Sequence, residues 1–162
     1  MRLIRHLTAG MGARRLFPPA TLEAIHKAVS AGEQRHRGQV CFAIEQALPL
    51  HRLSRKLSVR ERAREVFAQL HVWDTEHNSG VLIYVLIAEH AIEIVADRGI
   101  AARVKQVEWQ GICDAMRERF RAGEFERGAL EGVKAASDIL AREFPSDGSR
   151  RENELADEPI IL

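Results

Sequence analysis

Residues 80–87 read Gly-Val-Leu-Ile-Tyr-Val-Leu-Ile, and this stretch decides the predicted fold. Seven consecutive apolar or aromatic residues, rich in β-branched side chains, are typical of a strand that is buried on both faces. Such a strand needs helices packed against both sides of its sheet. The stretch therefore predicts the central strand of a layered α/β protein.

A dense polar loop leads directly into this strand. The side chains of Asp74, Glu76 and Asn78 offer hard oxygen ligands at alternate positions, which is the chemistry that Ca²⁺ and Mg²⁺ prefer. Loops at the ends of buried strands are common places for binding sites. The loop therefore predicts a divalent-cation site, and the alternative is a solvated turn in which Asp74 or Thr75 caps a backbone amide.

The remaining elements follow from hydrophobic periodicity. The residues at 80–87 and 91–96 are separated by a very short link, which predicts an antiparallel hairpin. Period-two alternation predicts one more strand at 40–45, and helical spacing predicts four helices. Those helices are 18–36, 58–70, 104–120 and 124–143. The order predicts a three-layer α/β/α sandwich with a small mixed sheet of about four strands.

The charge distribution divides the chain into three predicted parts. Residues 1–17 form a basic N-terminal arm without a core-facing stripe, which we expect to be dispensable for folding. Residues 18–144 form the α/β/α domain, and residues 145–162 form an acidic C-terminal tail. The tail ends in the apolar run Pro159–Leu162, for which three fates are open: docking on its own sheet, strand addition to a partner, or fraying.

Composition narrows the classes of protein. The net charge of +1 gives no field that would attract nucleic acid, and no apolar run approaches the roughly 20 residues of a membrane helix. We expect no secretory signal, because the longest apolar run near the N-terminus is too short for one, and Cys41 and Cys113 fit buried thiols in a reducing compartment. These features predict a cytoplasmic protein, and the basic arm leaves peripheral attachment at a membrane open. Trp73 and Trp109 are predicted to be core aromatics. The basic residues between 52 and 64 are predicted to form a solvated face.

Three segments in order resemble the TPM domain family. They are Ala63-Arg-Glu-Val-Phe-Ala-Gln-Leu70, Asp74-Thr-Glu-His-Asn-Ser-Gly-Val-Leu-Ile-Tyr84 and Arg121-Ala-Gly-Glu-Phe125. The resemblance covers about residues 18 to 143 and is greatest to the short bacterial branch that has no transmembrane helices. The run Asn153-Glu-Leu-Ala-Asp-Glu-Pro159 is similar to the tail of that branch.

The resemblance implies an α/β/α sandwich with a polar pocket at Asp74, Asn78 and Asp97. Divalent-cation binding has been attributed to some members of the family and acid phosphatase activity to plant members. Lys105 stands near the place where many members carry an acidic residue, so we expect a cation to bind weakly. The first interpretation is therefore a binding or interaction module for an unknown protein or membrane-associated partner, with a Ca²⁺ or Mg²⁺ site. The alternative is a cation-assisted acid phosphatase.

Overall fold

The computed structural model describes residues 12–49, 52–53, 57–148 and 153–162. In chain order the elements are α1 (Gly12–Leu16), α2 (Pro19–Glu33), β1 (Gln39–Glu45), α3 (Val59–Gln69), β2 (Gly80–Leu86), β3 (Ala91–Ala96), α4 (Arg98–Ala101), α5 (Gln106–Arg121), α6 (Phe125–Glu143) and β4 (Ile160–Ile161). A 3₁₀ turn, Ile87–Glu89, joins β2 to β3. Among the described residues no helix is long and apolar enough to cross a membrane.

The strands of the described residues form one mixed sheet in the order β3-β2-β1-β4. Strand β1 pairs in parallel with β2, with Gln39 opposite Gly80 and Glu45 opposite Leu86. Strand β3 pairs antiparallel with β2, as predicted for the hairpin. Every residue of β1 and of β2 is buried. The predicted mixed sheet of about four strands is therefore confirmed.

Alternate side chains of the sheet enter two separate apolar clusters. One face of β1 and β2 packs against α1, α2, α5 and α6. The larger cluster formed there includes Phe42, Ile83, Trp109, Val133 and Leu140. The opposite face packs against α3 and the chain around Leu48 and Val72, and its residues include Cys41, Ala63, Val66, Leu82 and Tyr84. Because both faces are covered, the fold is the predicted three-layer α/β/α sandwich.

Two local features of the sequence shape the helices. Ser58 begins α3 with a capping box, in which its side chain accepts from the Glu61 amide while the Glu61 carboxylate accepts from the Ser58 amide. Gly128 and Gly132 let α5 and α6 approach closely, because a Cβ at Gly132 would collide with Met116. The helix pair therefore depends on small residues at its contact.

The start of the described chain differs from the prediction. The expectation that the arm has no core-facing stripe is wrong for Ala13 and Phe17, which are both buried in the larger cluster. Phe17 lies edge-on to Phe120 and Phe125, with ring centroids 5.9 Å from each. Two apolar residues four apart are too short a pattern to stand out in a basic segment. Residues 1–11 of the predicted arm lie outside the described residues.

Two predictions about single side chains are also corrected. Trp109 is buried as predicted, but Trp73 is 49% exposed and lies against the His71 ring. Arg62 does not belong to a solvated face, because it is buried and forms a two-pronged ion pair with Glu45 at 2.8 and 2.9 Å. Arg55 and Lys56 of that basic group lie outside the described residues.

The C-terminal segment docks on its own sheet. Strand β4 pairs in parallel with β1, with Ile160 opposite Ala43 and Ile161 opposite Ile44. The Leu162 amide donates to the Ile44 carbonyl at 2.9 Å. Of the three fates that the sequence left open for this apolar run, the structure therefore shows self-docking.

Candidate functional site

The polar loop and the turn after β3 meet beside the N-terminal end of β2. The Asp97 amide donates to the Gly80 carbonyl at 2.9 Å, and the Gly99 amide donates to the Asn78 carbonyl at 3.1 Å. A Cβ on Gly99 would lie 2.6 Å from the Asn78 carbonyl oxygen and 2.8 Å from that of His77. Glycine at this position therefore lets the two segments touch, so that Asn78 and Asp97 lie on adjoining segments, and their role as joint ligands stays a prediction.

Thr75 holds the loop in its conformation. Its hydroxyl accepts from the Ser79 amide at 2.9 Å, and its carbonyl accepts from the Asn78 amide at 3.2 Å. Asn78 has a φ of 50°, which is the left-handed region that asparagine tolerates better than most residues. The buried Thr75 and the left-handed Asn78 together turn the chain into β2 and leave the Asn78 amide group at the surface of the loop.

Asp97 is the buried acid of the site. One carboxylate oxygen, Oδ1, accepts from the Arg98 amide at 2.7 Å and caps α4. The other oxygen, Oδ2, is buried and has no hydrogen-bond partner in the part of the chain that the structure describes. A buried carboxylate oxygen without a partner is costly in a folded protein, so it marks a position where a ligand would be stabilising.

Arg98 adds a positive charge that the sequence interpretation did not include. Its Nε donates to Asn78 Oδ1 at 3.3 Å, so the guanidinium already contacts one of the predicted cation ligands. Arg98 follows Asp97 directly, and only the contact between the two loops brings it to Asn78. A divalent cation at this position would be repelled by Arg98, which agrees with the expectation of weak binding.

Asp74 and Glu76 lie on the outer side of the loop. Both side chains are exposed, and the Asp74 amide donates to the His71 carbonyl at 2.9 Å. The Glu76 carboxylate lies 3.8 Å from His77 Nε2. Within the described residues, His, Cys, Asp and Glu side chains form no group of three or more that could hold a metal ion. The predicted ligands Asp74, Glu76, Asn78 and Asp97 therefore remain a prediction as a set.

A second polar cavity lies at the same end of the sheet, under the C-terminal segment. It has a volume of about 440 Å³ and is lined by Glu33, His36, Arg37, Gln39, Glu154 and Asp157, among other residues. Burial raises the pKa of Glu33 to about 8, and the nearby carboxylates of Asp157 and Glu154 add to the rise. Burial lowers the pKa of His36 to about 4, so its imidazole is neutral at neutral pH.

These features define a class of protein: an α/β/α sandwich that carries a polar loop site at one end of a mixed sheet. The sequence profile of the TPM domain matches residues 13–139, and the chain belongs to the TPM domain family. No curated protein matches the chain significantly.

Two solved structures share the fold. The first is the NMR structure of the BA42 protein from the psychrophilic bacterium Bizionia argentinensis, with 26% identity and a TM-score of 0.77 over 88% of this chain and 93% of that one. The second is the N-terminal domain of a protein from P. gingivalis, with 18% identity and a TM-score of 0.63 over 85% of this chain and 81% of that one. The second likeness supports the fold alone.

Proposed function

We propose that this protein is a TPM-type binding module that takes up a divalent cation weakly at the contact between the 74–80 loop and Asp97. The observation that carries the proposal is the buried, unpartnered Oδ2 of Asp97. Asn78 contributes an amide oxygen from the adjoining loop, while Asp74 and Glu76 add negative charge at the loop surface. Carboxylate and amide oxygens are the ligands that Ca²⁺ and Mg²⁺ take, with water completing the shell.

Weak binding follows from the charges around this position. The Arg98 guanidinium contacts Asn78, and the acids do not converge into a closed cage. A site with few fixed charged ligands falls in the low-affinity range of calcium modules, at a dissociation constant on the order of 10⁻⁴ to 10⁻³ M. The module would therefore sense or use cations only where they are abundant.

Calorimetric titration with CaCl₂ and with MgCl₂ tests the proposal. Asp97→Asn keeps an oxygen that can cap α4 but removes the negative charge, so we expect it to abolish the heat of binding without unfolding the protein. Asp114→Asn is the matched control, because Asp114 is an exposed acid on α5 that pairs with Arg117. Binding that survives Asp74→Ala combined with Asp97→Ala would place any cation site elsewhere.

The partner of the module stays a prediction. An unknown protein or a membrane-associated partner is the expectation from the basic arm, and Arg14 and Arg15 are exposed on α1. Sedimentation with vesicles that contain anionic lipid, compared between the protein and an Arg14→Gln, Arg15→Gln variant, tests attachment to a membrane surface. Equal sedimentation of the two proteins would exclude these arginines as the attachment.

Acid phosphatase activity, the alternative implied by the family resemblance, also stays a prediction. Catalysis would need a nucleophile or an activated water within hydrogen-bond reach of a complete set of cation ligands. The described residues contain no group of three or more His, Cys, Asp or Glu side chains that could hold the cation, so we favour binding over catalysis. The test is hydrolysis of p-nitrophenyl phosphate. Activity that requires Ca²⁺ or Mg²⁺, and that is lost in Asp97→Asn, would show that the protein is a phosphatase.

A further inference from the structure

Residues 153–162, here called the latch segment, attach to the domain at several separate places. Strand β4 within this segment pairs with β1. Further upstream, the Gln39 side-chain oxygen accepts from the amides of Glu154 and Leu155 at 3.1 and 3.0 Å. Gln39 is nearly buried, so these two hydrogen bonds fix the segment over the start of β1. The segment therefore lies along the sheet edge in a defined register.

Glu154 connects the latch segment to the proposed site. Its Oε2 accepts from the Glu76 backbone amide at 2.7 Å, across 78 residues of sequence. Glu76 lies in the middle of the polar loop, between Asp74 and Asn78. A short hydrogen bond from an amide to a carboxylate is one of the stronger contacts available to an exposed loop. Docking of the segment therefore constrains the loop that supplies the proposed ligands.

The same segment meets α2 through two acids. Glu33 and Asp157 line the same cavity, where the Val40 amide donates to Glu33 Oε1 at 2.8 Å and the Asn153 side-chain amide donates to Asp157 Oδ1 at 2.6 Å. A hydrogen bond between two neighbouring carboxyl groups forms only when one of them holds a proton. Among the described residues, the other charged or titratable groups around them are Glu154 from the segment, His36 and Arg37 from the turn after α2, and the thiol of Cys41 from β1. Arg35 is paired with Asp138 at 2.9 Å.

We propose that residues 153–162 form a latch, which positions the 74–80 loop through Glu154 and is held closed by a hydrogen bond that the neighbouring Glu33 and Asp157 carboxyl groups form by sharing one proton. Glu154 is a positioning residue in this scheme, because it acts on the cation ligands through the loop backbone. The effect on cation affinity rests on the proposed function, whereas the closing of the latch does not. Loss of the shared proton opens the latch and releases the loop.

The direction of the pH dependence follows from Glu33. In the unfolded chain this carboxyl ionises near its ordinary pKa of 4.5, whereas burial raises the pKa to about 8 in the folded protein. The contribution of Glu33 to stability is therefore fully present below about pH 4.5, and it is lost as the pH rises through about 8. The latch is closed at neutral pH and opens in mildly alkaline solution.

Methyl NMR between pH 6 and pH 9.5 tests the latch without any cation. We expect the methyl signals of Ile160 and Ile161 to shift together with a midpoint near pH 8. In Glu33→Gln the amide group donates to Asp157 without a titratable proton, so the signals should stay at their closed positions throughout. A midpoint near pH 8 that persists in Glu33→Gln would overturn the proposal.

Glu158→Gln is the matched control, because Glu158 belongs to the same segment but its side chain is 68% exposed. It lies 4.0 Å from His26 and should leave the midpoint unchanged. Loss of the pH transition in Glu158→Gln as well as in Glu33→Gln would assign the effect to the overall charge around the segment and contradict the latch.

The amide signal of Glu76 tests the positioning role of Glu154. Glu154→Ala should shift this signal at pH 6.5, and Glu154→Gln should restore it, because the glutamine oxygen can still accept the hydrogen bond. An unchanged Glu76 signal in Glu154→Ala would show that the contact does not position the loop.

Calcium titration links the latch to the site. We expect affinity on the order of tenfold lower at pH 9 than at pH 6.5 in the unmodified protein, and equal affinities at the two pH values in Glu33→Gln. If calcium affinity falls equally in both proteins, the latch is not coupled to the cation site. If CaCl₂ produces no binding at either pH, the proposed function fails, while the methyl and amide signals still decide whether the latch exists.

Discussion

Gly80 shows how one residue can be fixed by its surroundings. It is the first residue of β2, and a Cβ built on it would collide with the carbonyl oxygen of Val72. The colliding atom belongs to the backbone, which cannot turn aside as a flexible side chain can. The close approach lets the chain after α3 pack under the sheet while the polar loop starts directly beside it.

We therefore expect Gly80→Ala to lower the free energy of unfolding by about 2–4 kcal/mol, as overpacking against a rigid neighbour does. Urea denaturation monitored by circular dichroism measures the change. Gly111→Ala is the control, since Gly111 lies within α5 and a Cβ there meets no atom of the described residues within 4 Å. That substitution should stabilise the protein by about 0.5–1 kcal/mol through helix propensity. Equal effects of the two changes would contradict the steric argument.

Arg62 is a second residue whose role depends on burial. Its guanidinium holds Glu45, which also accepts from the Tyr84 hydroxyl at 2.5 Å. Burial, followed by the hydrogen bond to Glu45, raises the pKa of Tyr84 well above its ordinary value, so the phenol remains a donor. Arg62 stands among basic neighbours in the sequence, and its burial is hidden there although it lies one helical turn before the buried Val66.

We expect Arg62→Met to cost about 3–5 kcal/mol, because it leaves the Glu45 carboxylate buried without its cation. Thermal and urea denaturation measure the loss. Arg64→Met is the matched control, because Arg64 is exposed on the same helix and its replacement should change stability by less than about 0.5 kcal/mol. A small effect at both positions would show that the ion pair contributes little beyond its packing.

At the scale of elements, α1 shows that hydrophobic periodicity does not identify very short helices. A helix of five residues has fewer than two turns, and Ala13 is its one buried residue, so its apolar stripe cannot repeat as an amphipathic signal. Longer elements such as α5 and α6 were predicted to within a few residues, because their apolar stripes repeat over several turns. Strand β4 has two residues and was identified only as an apolar run that could dock.

The burial of Phe17, directly after α1, predicts a loss of stability when its ring is removed. Phe17→Ala removes a fully buried ring from the contact with Phe42, Phe120 and Phe125, and we expect a cost of about 3–5 kcal/mol. Differential scanning calorimetry measures the shift. Val107→Ala provides the comparison, since Val107 is 71% exposed on α5 and should leave the melting temperature nearly unchanged. A stable Phe17→Ala variant would restore the interpretation of this region as a dispensable arm.

The candidate site was predictable only in part for the same reason. Asn78 was predicted from residue type and Asp97 from the family resemblance, and the two segments that carry them are in contact. The contacts made by Arg98 and Glu154 depend on which loops and which tail meet in space. Neither contact has a local sequence pattern, since the Glu76 to Glu154 hydrogen bond spans almost half of the chain.

On the scale of the whole molecule, the single sheet joins the two apolar clusters. Strands β1 and β2 contribute alternate side chains to both, so neither cluster can lose its packing while the other remains intact. We therefore expect one cooperative unfolding transition. Circular dichroism and the fluorescence of Trp109, isolated in a Trp73→Phe background, should give coincident curves. A fluorescence transition at lower temperature than the loss of helix would show that the faces unfold separately.

The short pairing of β4 with β1 has a consequence for solubility. Strand β1 is apolar from Val40 to Ile44, and only Ala43 and Ile44 have partners in β4. A β1 that lost this cover would present an unguarded apolar edge, which is the kind of surface that recruits strands from other molecules into aggregates. Ten residues with an acidic beginning and an apolar end thus also act as an edge guard for the folded protein in concentrated solution.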